Sequence, residues 1–290
     1  MSNLKGVGVA LVTPFNEDLS VDFDSLTKLV NFNIENGTDY LVVLGTTAEA
    51  ATLSSEEKKQ VIDHIIKANN KRVPLVLGIG GNDTMEVKKQ IEETDLSDFD
   101  AVLSVSPYYN KPNQEGLYQH YKALAATGKY IIIYNVPSRT GQNIEASTTL
   151  RLAEEFPNLI MIKEAAPNIL QYFDILRLKP ANFNLVSGDD EYTLPVTLAG
   201  GNGVISVIGQ GYPKEFSTMV QLAFDGKVNE AYEIHNKLVE ITRLIFAEGN
   251  PAGIKTVLAE LGIIKNYLRL PLVAASNGLQ EKIKAEMAKI

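Results

Sequence analysis

Short apolar runs rich in valine, isoleucine and leucine recur eight times, at 7–12, 40–44, 74–79, 101–105, 130–134, 159–163, 183–187 and 203–207. Longer amphipathic segments separate them, and this alternation is the pattern of βα units around a parallel sheet. Helical patterns at 22–36, 55–69 and 84–93 open at Asp22, after Ser54 and after Asp83, with Glu57 spaced from Ser54 as in a capping box. Eight consecutive βα units in about 225 residues match a closed barrel better than a doubly wound sheet, which usually needs fewer strands. The expected fold is therefore α/β, a (β/α)8 TIM barrel with a helical C-terminal extension.

The extension follows because strand signals stop after residue 225, while 227–247, 251–260 and 279–289 read as helices punctuated by Gly249-Asn250-Pro251 and Leu270-Pro271. Residues 1–225 are expected to form the catalytic barrel and 226–290 a helical subdomain packed on it, with no Ser/Gly-rich or Pro-rich linker between them. A net charge of -8 repels nucleic acid and anionic membranes, which leaves small molecules and copies of the chain itself as expected partners. No apolar stretch approaches the ~20 residues needed to span a bilayer. The chain has no cysteine, which removes disulfides, thiolate nucleophiles, iron–sulfur ligation and cysteine zinc sites, and suits a reducing, cytoplasmic location. The N-terminal apolar run ends in Thr13-Pro14 with no leader-type cleavage site, and reads as a first core strand.

Barrels of this kind hold their active sites where strands end and βα loops begin. Lys163 closes the apolar run Leu159-Ile160-Met161-Ile162. A charged ammonium is expensive to desolvate there. Burial lowers a lysine's pKa, and the neutral amine is the nucleophile that forms Schiff bases with carbonyl compounds. The bland alternative is a strand-end lysine whose amine reaches solvent. Tyr134 ends the preceding run, where its phenol could relay protons if hydrogen-bonded to partners such as Thr47 and Tyr109; alone, it reads equally as a core tyrosine. Gly45-Thr46-Thr47 offers hydroxyls and backbone N–H groups to a small carboxylate, or simply caps a helix. Arg139, in a loop opened by Pro137, offers a bidentate fork for a second carboxylate, or is a surface arginine.

A metal-dependent mechanism is disfavoured. His64, His120 and His235 are the only histidines, all fall within helical patterns, and none forms an H-x-x-x-H spacing. Asp189-Asp190-Glu191 suits a hard cation or a helix N-terminus. Glycine-rich 78–82 and 200–203 match no phosphate-binding motif.

Taken together, GVGVALVTPF (6–15), LGTTAEAATLS (44–54), SPYYNKPNQEGLYQHY (106–121), YNVPSRTG (134–141), IKEA (162–165), SGDD (187–190) and GVISV (203–207) resemble the dihydrodipicolinate synthase family, within the N-acetylneuraminate lyase superfamily. The resemblance runs from about residue 5 to the C-terminus. It implies a 4-hydroxy-tetrahydrodipicolinate synthase reaction in diaminopimelate and lysine biosynthesis. Pyruvate would condense with Lys163, lose a methyl proton and attack the aldehyde of L-aspartate 4-semialdehyde, with no cofactor beyond the covalent Schiff base.

By matching positions, the resemblance implies a relay of Tyr134, Thr47 and Tyr109, the last projecting into a neighbouring subunit of a homotetramer built as a dimer of dimers. Thr46 and Thr47 would hold the pyruvate carboxylate and Arg139 that of the semialdehyde. The Ile205 carbonyl would face the reactive centre, and Gly188 would line the pocket. Sugar-acid and N-acetylneuraminate lyases share the lysine and tyrosine, so cleavage of a 2-keto-3-deoxy sugar acid is the alternative. Thr47 and Ser138-Arg139-Thr140-Gly141 favour the synthase branch.

Two departures stand out. Ala48 occupies a position the family fills with glycine, which would shift the turn if that residue has positive φ. At the family's lysine feedback site Asn82, Glu86 and Tyr108 match, but Ala50, Ser55 and Lys58 replace the expected serine and histidines, and Lys58 would repel a cationic ligand. Weak or absent inhibition by lysine is expected.

Overall fold

The computed structural model describes residues 4–290. Its eight strands are β1 (Gly6–Ala10), β2 (Tyr40–Val43), β3 (Leu75–Gly78), β4 (Ala101–Val105), β5 (Ile131–Asn135), β6 (Leu159–Glu164), β7 (Asn184–Ser187) and β8 (Gly203–Ser206). They follow one another in sequence order as a closed parallel barrel, so the fold is the expected (β/α)8 architecture. The helices are α1 (Phe23–Glu35), α2 (Ser55–Asn69), α3 (Thr84–Glu93), α4 (Gln114–Ala125), α5 (Pro137–Thr140) and α6 (Ala146–Glu155). After them come α7 (Ile169–Leu178), α8 (Thr193–Leu198), α9 (Pro213–Phe224), α10 (Val228–Phe246), α11 (Ala252–Glu260) and α12 (Asn277–Met287). Among the described residues no helix is long and apolar enough to cross a membrane.

The chain forms two compact units, one containing Leu75–Ile205 and the other Gly6–Pro74 with Ser206–Ile290. In the first, β3 to β8 pair in parallel with side chains buried on both faces, which is why these strands read as continuous apolar runs rather than as alternation. Register aligns Tyr134 with Lys163 and Asn135 with Glu164. Asp83 caps α3 by accepting from the N–H groups of Met85 at 2.9 Å and Glu86 at 3.2 Å. The segment opened by Pro137, expected as loop, is one helical turn, α5. Proline's fixed φ suits the first helical position, and Gly141 ends the turn at φ 70°.

In the second unit β1 pairs with β2, and Gly8 lies opposite Tyr40. A Cβ at Gly8 would stand 2.1 Å from the Tyr40 ring, so only glycine lets that fully buried ring lie across β1. The strand ends at Ala10, two residues before the sequence pattern does, because the Val12 N–H turns to the Gln210 side chain at 3.0 Å. Asp22 caps α1 through the Ser25 N–H, and α2 carries the full Ser54–Glu57 capping box. Buried Leu26, Leu29, Val61 and Ile65 are the apolar faces of these two helices, each contributing about 1.5–3 kcal/mol on removal from water. Helix α9 packs on β1, α10 on α9, and α11 and α12 on α10.

Candidate functional site

In the first unit, paired register on adjacent strands points the Tyr134 and Lys163 side chains to the same face. Lys163 is only 5% exposed, and its Nζ lies 4.3 Å from the centroid of the Tyr134 ring. The side chain is thus packed at the strand end rather than laid out over the surface. Gly188 follows β7, and its N–H donates to the Glu164 carbonyl at 2.6 Å. A Cβ there would meet Cγ and Cε of Lys163 at 3.0 Å and Cβ of Ala165 at 2.8 Å, so glycine leaves the lysine stem its path. Gly188→Ala is expected to displace the Lys163 amine, to lower kcat by about 10–100-fold if that amine is catalytic, and to lower the melting temperature as well, because the Ala165 Cβ cannot swing aside. Steady-state kinetics beside thermal unfolding check this, and unaltered kcat would contradict it.

The opposite face of the same strand ends holds a polar cluster that sequence reasoning missed. Glu164 is fully buried. Its carboxylate accepts from Asn135 Nδ2 at 2.8 and 3.0 Å, from the Ala166 N–H at 2.8 Å and from Gln171 Nε2 at 2.8 Å. Asn135 also donates to Asn143, and its own oxygen accepts the Ile144 N–H. The Tyr172 hydroxyl donates to the Glu164 carbonyl at 2.7 Å. Burial pushes the Glu164 carboxyl up to about 7, against the opposing pull of the Asn135, Ala166 and Gln171 donors. The signal was present in the sequence: two consecutive charged residues end β6, and on a strand consecutive residues face opposite ways.

Arg139 lies on α5 with its side chain exposed. Ile205 is fully buried within β8. Tyr109 stands apart: it is 89% exposed and held at φ 70°, a left-handed conformation that non-glycine residues rarely adopt. Asp189 accepts the Glu191 N–H at 2.9 Å in the turn before α8.

In the second unit, Thr46, Thr47 and Ala48 form a single 3-10 turn after β2. Thr46 is exposed, whereas Thr47 is buried and its Oγ1 accepts from Asn250 Nδ2 at 2.8 Å. The left-handed backbone falls at Leu44 and Glu49, both at φ 53°, and not at Ala48. The methyl group of Ala48 therefore costs no strain. The Ala48 carbonyl accepts from Thr13 Oγ1 at 2.7 Å, which fixes the turn from β1's side. The histidines lie in α2, α4 and α10 as expected. His64 bonds Thr27 at 2.7 Å, and His120 bonds Thr84 at 2.9 Å, its imidazole pushed down to about 4 by burial.

The model of the dihydrodipicolinate synthetase family matches residues 3–290. The chain belongs to this family. It shares the family's aldolase-type lyase class. It is 56% identical to the 4-hydroxy-tetrahydrodipicolinate synthase of Flavobacterium psychrophilum, over 96% of this chain and 95% of the relative. The crystal structure of the Thermotoga maritima dihydrodipicolinate synthase superposes with a TM-score of 0.96 at 37% identity, covering 99% and 98% of the two chains. That of the chloride-inhibited Acinetobacter baumannii enzyme complexed with pyruvate gives 0.95 at 40% identity, also covering 99% and 98%. Within the family frame, Tyr108, Asn82 and Glu86 fall in the unit of Lys163, and Ala50, Ser55 and Lys58 at the start of α2 or just before it.

Proposed function

We propose that this lyase works by covalent catalysis on Lys163. Its reaction is that of 4-hydroxy-tetrahydrodipicolinate synthase, a step of diaminopimelate and lysine biosynthesis. The Lys163 amine adds to the C2 carbonyl of pyruvate, and the carbinolamine loses water to give the Schiff base. Loss of a methyl proton gives an enamine whose carbon attacks the aldehyde of L-aspartate 4-semialdehyde. Attack of the semialdehyde's amino group on C2 closes the ring and expels the lysine amine. The observation that carries this reading is the buried Lys163 with its Nζ against the Tyr134 ring. The pyruvate complex of the Acinetobacter relative supports the choice of keto acid.

The remaining roles complete the reading. Tyr134 moves the protons of carbinolamine formation and dehydration, with Thr47 and Tyr109 as its relay partners. The hydroxyls of Thr46 and Thr47 hold the pyruvate carboxylate, Arg139 takes that of the semialdehyde, the Ile205 carbonyl faces the reacting carbon, and Gly188 lines the pocket. The chemistry calls for no metal or organic cofactor, because the protonated Schiff base is itself the electron sink. Residues 1–225 act as the catalytic barrel and 226–290 as its helical subdomain, in a cytoplasmic enzyme. A coupled assay of pyruvate with aspartate semialdehyde, with borohydride trapping and mass spectrometry, tests the reading. Turnover of a 2-keto-3-deoxy sugar acid in preference to the semialdehyde would overturn it.

Tyr109 supports a shared site, since an aromatic side chain 89% exposed on a left-handed backbone is placed to enter a second copy. The assembly is proposed to be a homotetramer built as a dimer of dimers, with Tyr109 crossing between two of its subunits. Sedimentation of the active enzyme is expected to show it, and a fully active monomer would refute the shared relay. Lysine at sub-millimolar concentration is expected to leave the rate unchanged, because the Lys58 ammonium repels the ligand. Strong inhibition in that range would contradict the assignment.

A further inference from the structure

Glu49 closes the turn that carries Thr46 and Thr47, and it does so at φ 53°, where a side chain is strained unless its surroundings hold it. Its own carboxylate supplies that hold. One oxygen pairs with Lys255 Nζ at 2.5 Å, with both side chains fully buried. The other accepts the Arg269 backbone N–H at 3.0 Å. Lys255, on α11, also donates to the Tyr267 carbonyl at 2.9 Å and lies 4.3 Å from the Phe15 ring centroid. One residue ahead of Pro251, Asn250 reaches the same turn at Thr47.

Three points of the C-terminal segment, at 250, 255 and 269, thus grip the five-residue turn 45–49, and two of them do so through Glu49. A buried ion pair is an inefficient way to gain stability, because desolvating two charges offsets most of their attraction. Burial lowers the Lys255 ammonium below the ordinary lysine range, with Glu49 pulling the other way. What a charge pair supplies that an apolar pair cannot is one fixed geometry, here at a backbone position that does not hold itself.

We propose that the Glu49–Lys255 pair is a positioning device for the pyruvate carboxylate: it fixes the 45–49 turn so that Thr46 and Thr47 present their hydroxyls and N–H groups pre-organised. This rests on the reading of those threonines as carboxylate-binding. The C-terminal helices then shape the substrate site without touching substrate.

The test compares Glu49→Gln, Lys255→Met and the double variant E49Q/K255M, measuring KM for pyruvate, KM for the semialdehyde, kcat and melting temperature. A single change leaves a buried partner charge unmatched and lowers stability; the double variant removes both charges and recovers much of the melting temperature. If the pair only stabilised the fold, the double variant would recover its kinetics as well. The expected result is a KM for pyruvate raised about tenfold or more in the double variant as in the singles, with kcat at saturating pyruvate within about threefold and the semialdehyde KM unmoved. A double variant with pyruvate KM within about twofold of the unsubstituted enzyme overturns the proposal, whatever the single variants do. Thr46→Ala in the otherwise unsubstituted enzyme separates the two readings. A pyruvate KM raised by Thr46→Ala beside an unaltered KM in the double variant sinks only the positioning role, whereas an unaltered KM in Thr46→Ala removes the reading beneath it.

Discussion

Replacing Lys163 by alanine is expected to abolish the borohydride-trapped pyruvate adduct and to lower kcat by about 10⁴-fold or more. Under the proposed mechanism the loss is large, because the whole route passes through the covalent bond. Without the amine no Schiff base forms, the methyl proton of pyruvate keeps its ordinary acidity, and no enamine is available to attack the aldehyde. Stability should respond differently. Lys163 is 5% exposed at the end of an apolar strand, so alanine gives up the contact with the Tyr134 ring and the packing of the lysine stem, and the melting temperature should fall only modestly. Lys163→Arg is the informative control: it keeps a long cationic side chain, but a guanidinium is always protonated and makes no Schiff base. It is expected to be as inactive as alanine. Turnover within tenfold of the unsubstituted enzyme, or an adduct trapped at another residue, would remove Lys163 from the mechanism.

The barrel was legible because its strands are buried on both faces. Such strands print continuous apolar runs, and the runs at 101–105 and 159–163 coincide with β4 and with all but the last residue of β6. Helix starts were equally plain where a side chain caps them, as Ser54 and Asp83 do. That Lys163 and Tyr134 lie side by side was legible because each ends one of two consecutive apolar runs, and consecutive strands of a parallel barrel pair in register. What did not print in sequence were features set by tertiary contact. Glu164 carries no sign that Asn135, Gln171 and a backbone N–H converge on it from 29, 7 and 2 residues away. The effect of Ala48 depended on which residue of the turn takes positive φ, and the backbone assigns that to Glu49 instead. The grip of Asn250 and Lys255 on that turn spans more than 200 residues, so no local pattern could show it.

Glu164 gives the second large effect, and its sign follows from linkage. A glutamate has an ordinary value of 4.5, and burial raises Glu164 to about 7. The folded protein therefore holds this proton more tightly than the unfolded chain. Its contribution to stability is fully present below about 4.5 and is lost as pH rises through about 7. At about 1.4 kcal/mol per pH unit, that window corresponds to about 3 kcal/mol. Glu164→Gln cannot titrate, so relative to this variant the unsubstituted protein should lose about that amount of stability between the acid and neutral ends of the window. Denaturant unfolding at a series of pH values measures it, and a pH-independent difference would refute the raised value. Glu164→Ala removes the acceptor altogether. It leaves Asn135, Gln171 and the Ala166 N–H facing a cavity, at about 3–5 kcal/mol. Those donors stand one residue beyond Tyr134, three beyond Lys163 and on α7, so kcat should fall along with the melting temperature. Glutamine returns one acceptor oxygen but sets its NH2 against donors that met the other, so it should restore only part of both. An alanine variant within about 1 kcal/mol of the unsubstituted protein would mean that water replaces the carboxylate at no cost and that the cluster does not hold the ends of β5 and β6.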